Sequence, residues 1–102
     1  MARIWIDTQH VEGQGEQQDA MFECPGCGSL HAVRVKGSDP WTYNGDMERP
    51  TFSPSVRCRW PSSSGQQCCH FFVKDGEIQF CSDSTHELAG KAVVLPTIER
   101  SC

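Results

Sequence analysis

Residues Cys24-Pro25-Gly26-Cys27-Gly28 carry two cysteines three positions apart, with Pro and Gly between them and Gly after. That spacing makes a tight turn holding both thiolates on one side, with the turn's N–H groups aimed at the sulfurs. A tetrahedral Zn2+ takes such a pair and two further ligands from elsewhere. The plainer alternative is a reduced pair of thiols in a surface turn. Read as a zinc knuckle, the motif decides the fold, because the remaining chain must supply a small sheet and the missing donors. Met21-Phe22-Glu23 leads in as a strand end. His31 to Lys36 leads out as a strand, with Val33 and Val35 on one face and Arg34 and Lys36 on the other. Strand, knuckle, strand is half of a zinc ribbon.

The next anchor is a hairpin. Cys69-His70-Phe71-Phe72-Val73 and Glu77-Ile78-Gln79-Phe80-Cys81 flank Asp75-Gly76, a pair that favours a two-residue turn. This register sets Lys74 against Glu77, Val73 against Ile78, Phe71 against Phe80 and His70 against Cys81. Cys69, Phe71, Val73, Ile78 and Phe80 then share a core face; His70, Phe72, Gln79 and Cys81 share the other. A period of two keeps Cys69 and His70 off a common ion unless the strand is distorted.

Between these anchors, Trp41-Thr42-Tyr43 reads as a short strand and Asn44-Gly45 as a turn. Pro50 and Pro54 make Pro50 to Ser55 an extended edge or rigid loop. Val56 to Trp60 reads as a strand, and Pro61 to Gln67, with three serines, as a flexible loop. At the ends, Arg3 to Asp7 alternates like a short strand, and His10 to Asp19 is polar enough to read as a loop. Ser84 with Glu87 looks like a capping box opening one helical turn, closed by Gly90. Ala92 to Leu95 is a last strand before Pro96. The expected fold is therefore mostly β (small α+β), with a zinc-ribbon-like knuckle, β-hairpins and one short helical turn. Residues 1–19 form an N-terminal strand and polar loop, and residues 20–102 a single zinc-binding domain.

Bulk properties narrow the function. A chain of 102 residues buries a thin core, which a metal commonly supplements. A net charge of −4, with both signs interspersed, argues against a general nucleic-acid binder. Arg57 and Arg59 are too few to make a basic stripe. No stretch has the length of a membrane span. Arg3 and Asp7 interrupt any signal-peptide core, so a soluble cytoplasmic protein is expected. The seven cysteines are odd in number and read as reduced, with Cys58 and Cys102 as bystanders.

Four blocks, CPGCGSLH, WTYNGDMERPTFSPSV, CHFFVKDGEIQF and DSTHELAGKAVVLP, resemble a family of small phage and prophage proteins. That family is a domain of unknown function whose members often carry the label "ammonia monooxygenase". The resemblance spans about residues 21 to 96 and implies a phage-encoded cytoplasmic protein. The label itself fails on physical grounds: it names a membrane complex with redox metals, whereas the ligands visible here favour redox-inert zinc. By motif, the resemblance marks Cys24, Cys27, Cys69, His70 and His86, together with Asn44, Gly45, Asp46, Pro50, Thr51, Ser53, Pro54 and Ser55. Cys68, which duplicates Cys69, and Cys81, in place of an apolar residue, depart from the pattern.

The favoured zinc set is Cys24, Cys27, Cys69 and a histidine, His86 first and His70 second. His31 is read as an exposed strand-edge residue, with a ligand role as its alternative. Four protein ligands make a closed, structural ion. The competing reading is a zinc hydrolase with an open water site using His70, His86 and Asp46, with Glu87 as another activating carboxylate. It lacks support from known strings, since Gly90 stands where HExxH needs its second histidine and no H-x-E element precedes the cysteine pair. A Cys81–His70 nucleophile pair is also weighed; its plainer reading is a chance pair or a spare ligand. Ser53 or Ser55 acting with His86 is weaker, for want of a G-x-S-x-G elbow. Trp41, Tyr43, Asn44, Asp46, Thr51, Ser53 and Ser55 form a candidate binding rim; its plainer reading is a turn and a kinked edge satisfying their own backbone. The expected role is binding a host or phage macromolecule, a protein before a nucleic acid, with no catalytic residue assigned and self-association left open.

Overall fold

The computed structural model describes residues 2–98, so Cys102, read above as a bystander, lies outside the described residues. Eight strands follow in order: β1 (Trp5–Val11), β2 (Gly15–Glu23), β3 (Leu30–Lys36), β4 (Thr42–Tyr43), β5 (Phe52–Ser62), β6 (Gly65–Lys74), β7 (Glu77–Phe80) and β8 (Ala92–Val94). They build two antiparallel sheets, β1-β2-β3 and β4-β5-β6-β7-β8. The inner faces meet in one core. Ile4, Ala20, Phe22 and Val33 come from the first sheet and its lead-in; Phe52, Val56, Cys69, Phe71, Val73, Ile78 and Phe80 come from the second, and Leu95 closes it. Phe22 meets Phe71 edge-on at 5.8 Å between ring centroids, joining the two layers. Burying a ring of this size contributes roughly 2–3 kcal/mol.

The β6–β7 hairpin takes the register expected from Asp75-Gly76, with Lys74 opposite Glu77, Val73 opposite Ile78 and Phe71 opposite Phe80. All five residues assigned to its core face are buried. On the other face, Phe72 is 46% exposed.

Three expectations are corrected. The polar segment His10 to Asp19 is not a loop: it folds into the β1–β2 hairpin around Gly13, with Gln9 paired to Gln17 and Ile6 to Ala20. Its alternation is hidden in the sequence because a bulge at Gln18/Asp19 resets the period between buried Gln17 and buried Ala20. Its polar side chains bond across strands, as Arg34 does to Asp19 at 2.5 Å and Lys36 to Glu16 at 2.9 Å. The Pro61 to Gln67 segment is likewise a tight hairpin, since Ser62 pairs with Gly65 and leaves only Ser63 and Ser64 to turn.

The helical turn after Ser84 does not form, and no helix occurs among the described residues. Ser84 spends its hydroxyl on strand β6 instead of capping: Oγ accepts from His70 N–H and donates to His70 C=O, both at 3.0 Å. Single turn bonds, Ala89 N–H to His86 C=O and Lys91 N–H to Leu88 C=O, are all that remain of it.

Candidate active site and metal centre

The Cys24–Cys27 turn joins β2 to β3 and folds as a knuckle. Cys24 N–H donates to Ser29 C=O, Gly28 N–H donates to Cys24 C=O, and Cys27 N–H points at Cys24 Sγ, 3.5 Å away. Gly28 sits at φ +76°, which a residue with a Cβ would resist. His31, the second residue of β3, turns inward and is 4% exposed; the exposed-edge reading of it is corrected, because this parity faces the core beside Phe22 and Phe71. Cys69 reaches the same point from β6. Cys27 Sγ lies 3.3 Å from His31 Nε2 and Cys24 Sγ lies 3.7 Å from Cys69 Sγ. The four donor atoms are all within 4.8 Å of one another, placed to hold a metal ion between the two sheets.

The electrostatics fit a cation. The hydrogen bond from Cys69, helped by His31 and turn N–H groups against the cost of burial, drives the Cys24 thiol down to about 3. The same shared proton, with burial, pushes Cys69 up. Burial alone would lower His31, but hydrogen bonds to Cys24 and Cys58 and the sulfur charges carry it up to about 10. A metal needs the sulfurs as thiolates and the imidazole neutral, so an ion bound here would displace the protons these groups share. Three sulfurs and one imidazole are a donor set that soft, tetrahedral ions accept.

A second layer surrounds these donors. Cys58, expected to be a bystander, is half-buried with Sγ 3.5 Å from His31 Nδ1. His86 Nε2 lies 3.5 Å from Cys69 Sγ, while its Nδ1 accepts from Leu88 N–H at 3.2 Å. With Nδ1 accepting, a neutral ring carries its proton on Nε2 and donates to the sulfur. The ring packs so tightly on the knuckle that a Cβ on Gly26 would come within 2.4 Å of it. None of the six described cysteines is disulfide-bonded.

His70, the other candidate fourth ligand, lies on the opposite face of β6, as the two-residue period requires. There it meets two further groups. Ser55 Oγ is 3.1 Å from His70 Nε2. Asp83 holds His70 Nδ1 with both carboxylate oxygens, at 3.0 and 3.1 Å. The His70 hydrogen bond holds the Asp83 carboxyl below its ordinary range, with Arg57, 3.7 Å away, adding to it.

Each member is placed by a distinct local cause. On β5, Phe52 pairs with Val73 and Val56 with Phe71, so Ser53-Pro54-Ser55 bulges opposite Phe72 alone. Pro54 has no N–H for a ladder, which suits that position. Trp41 ties the bulge down: its Nε1 donates to Ser55 C=O at 3.3 Å, and its backbone N–H donates to Arg34 C=O on the other sheet. His70 sits opposite Arg57. Its main chain is fixed on the far side by Ser84 and by Cys81 N–H, which donates to His70 C=O at 2.8 Å. That turn also carries Asp83. Cys81 stands beside the pair, and burial first, then the Asp83 charge, pushes its thiol up.

The remaining rim residues mostly build their own loop. Asn44 Oδ1 accepts from Asp46 and Thr51 N–H, and its Nδ2 donates to Arg49 C=O. Asp46 Oδ1 accepts from Glu48 and Arg49 N–H, so the carboxylate nominated for a zinc hydrolase serves the turn. Thr51 Oγ1 accepts from Asp75 N–H. Tyr43 packs on Phe52 at 5.3 Å, and Ser53 is exposed.

Sequence reasoning missed the Ser55–His70–Asp83 alignment. It had His70 beside Cys81 and tried Ser55, but with His86 as the partner. The usable signal was the β5–β6 register: once Ser63-Ser64 is seen as the turn, Arg57 falls opposite His70 and Ser55 lies next along the same face.

Together these features define a small two-sheet protein with a Ser-His-Asp alignment on one face of a strand and a Cys3His cluster beneath it. Residues 3–81 match the family model described as BubE, bacterial ubiquitination-like system serine protease, and the chain belongs to that family. The matched span includes Ser55, His70 and all four clustered donors, and Asp83 lies just beyond it. No curated protein and no solved structure matches the chain. No described helix is long and apolar enough to cross a membrane.

Proposed function

We propose that this protein is a serine peptidase with Ser55 as nucleophile, His70 as general base and Asp83 as the group that orients the base. The observation that carries the reading is the line from Ser55 Oγ to His70 Nε2, 3.1 Å, and from His70 Nδ1 to Asp83, 3.0 Å. Asp83 keeps the ring proton on Nδ1, leaving the Nε2 lone pair for the Ser55 hydroxyl. Ser55 Oγ attacks the substrate carbonyl carbon and its proton passes to His70 Nε2. That proton then goes to the leaving amine as the C–N bond breaks. Water, deprotonated by the same nitrogen, releases the acyl group from Ser55. The chain order Ser, His, Asp needs no nucleophile elbow, since a triad is defined by geometry and roles.

The family description supports a substrate within a bacterial ubiquitination-like system. The macromolecule bound is then a ubiquitin-like protein, cut at an extended peptide or isopeptide bond after its carboxyl-terminal tail. Exposed Phe72, with its ring 6.5 Å from His70, offers an apolar platform beside the scissile bond.

The ion of the buried cluster is zinc, bound by Cys24, Cys27, His31 and Cys69, and its role is structural: four protein donors leave no open position for water. It pins β6 to the knuckle one residue before His70. The test is cleavage of a ubiquitin-like protein carrying a carboxyl-terminal extension. The wild-type chain releases the extension and Ser55→Ala, equally folded, does not. Cleavage by Ser55→Ala at the wild-type rate would overturn the assignment.

A further inference from the structure

One group next to the triad has no part in that chemistry. Cys81 follows β7, on the same outer face as His70, and its Sγ, a His70 ring nitrogen and an Asp83 carboxylate oxygen all lie within 4.8 Å of one another. Tetrahedral zinc, with bonds of roughly 2.0–2.3 Å, sets its donors roughly 3.3–3.8 Å apart, so small side-chain adjustments bring these three onto one ion. The set joins a thiol, an imidazole and a carboxylate, and the carboxylate of Asp83 is about half exposed. We infer that His70, Cys81 and Asp83 form an inhibitory site for a thiophilic divalent cation of the zinc class, distinct from the buried cluster and acting on the peptidase proposed above.

The mode of inhibition follows from the ring. Nδ1 is the nitrogen beside the Asp83 carboxylate, so the ion replaces the Nδ1 proton in the gap between them. A neutral imidazole ligated through Nδ1 carries its proton on Nε2. Nε2 then presents a proton to Ser55 instead of a lone pair, and the hydroxyl has no base. The Cys81 thiol proton leaves to solvent as the sulfur binds. Arg57, 3.7 Å from Asp83, opposes a cation here and keeps the site weaker and more readily reversible than the buried cluster.

The experiment uses zinc-loaded full-length protein, the extended ubiquitin-like substrate, and added zinc chloride. Wild-type cleavage is expected to fall with micromolar added zinc and return when a weak chelator removes it. Cys81→Ala and Cys81→Ser retain basal cleavage and lose sensitivity by about tenfold or more, since even outer-shell metal partners are commonly worth that much. Arg57→Gln is expected to raise sensitivity. In parallel, cobalt added to zinc-loaded Ser55→Ala protein should give thiolate charge-transfer absorption that a further Cys81→Ala change abolishes. Cleavage indifferent to zinc, or equally sensitive in both Cys81 variants, would overturn the inference while leaving the peptidase intact. A cobalt band dependent on Cys81 in a chain that never cleaves substrate would keep the metal site and remove the peptidase reading.

Discussion

The two faces of strand β6 put neighbouring residues to opposite uses. Cys69 points inward, fully buried, and joins three donors from the knuckle and β3 of the other sheet, the four satisfying one another. His70 points outward, half-buried, and joins a hydroxyl and a carboxylate aligned but open to solvent. Inside, the donors converge on one point and enclose it; outside, they run in a line with a free end. Convergence suits a structural ion, and a line ending in a hydroxyl suits proton transfer. The difference also sets a direction of dependence. On the proposed reading, the triad depends on β6 being held in place by the inner cluster, whereas none of the four inner donors hydrogen-bonds to the side chains of Ser55, His70 or Asp83.

That asymmetry can be broken from either side. The largest effect is expected at Ser55: Ser55→Ala should cut cleavage by on the order of 10^6-fold, with zinc content and thermal midpoint unchanged by metal analysis and calorimetry. Loss of zinc in this variant would end the claim that the outer face is dispensable to the inner one. Next comes Cys24→Ser, which is remote from the triad in the chain. It should abolish tight zinc binding, lower the midpoint or unfold the chain, and remove cleavage with it, because structural zinc contributes directly to folding. A Cys24→Ser protein that is folded, metal-free and fully active would break the comparison outright.

Asp83→Asn should reduce kcat by about 10^3-fold, less than the ~10^4 of a fully buried orienting aspartate, because Asp83 is about half exposed. Its zinc content should stay at wild type. A smaller effect is expected at Gly26→Ala. The added Cβ would meet the His86 ring at 2.4 Å, so the knuckle or the ring must shift. The expected result is a midpoint lowered by several degrees, equivalent to about 1–3 kcal/mol of overpacking, with slower cleavage following from it. Smallest is Phe72→Ala, expected to raise KM several-fold while leaving kcat and zinc content alone, as a substrate platform would.

Much of the inner face was legible in the sequence and little of the outer one. The C-P-G-C spacing and the D-G hairpin are local signals, and both elements formed as read, with Cys69 on the core side. The fourth donor was harder. His31 sits four residues past Cys27 and shares the face of Val33 and Val35, so the strand period already turned it inward; its polar side chain at the start of the strand made it read as an exposed edge residue. The triad was invisible for a non-local reason. Ser55 lies in a bulge whose partner strand is reached only through a Ser-Ser turn without the usual Gly or Asn, so the register opposite His70 could not be drawn. Asp83 sits in a turn whose Ser84 looks like a helix cap but bonds across to β6. In both places a local signal lost to a cross-strand contact.

The most direct test is the mass of the protein after reaction with a fluorophosphonate, which phosphonylates serines activated by a neighbouring base. The account predicts one adduct, mapped to Ser55, absent from Ser55→Ala and suppressed in His70→Ala. No adduct on folded, zinc-loaded wild type, or an adduct at another residue that survives in Ser55→Ala, would contradict it.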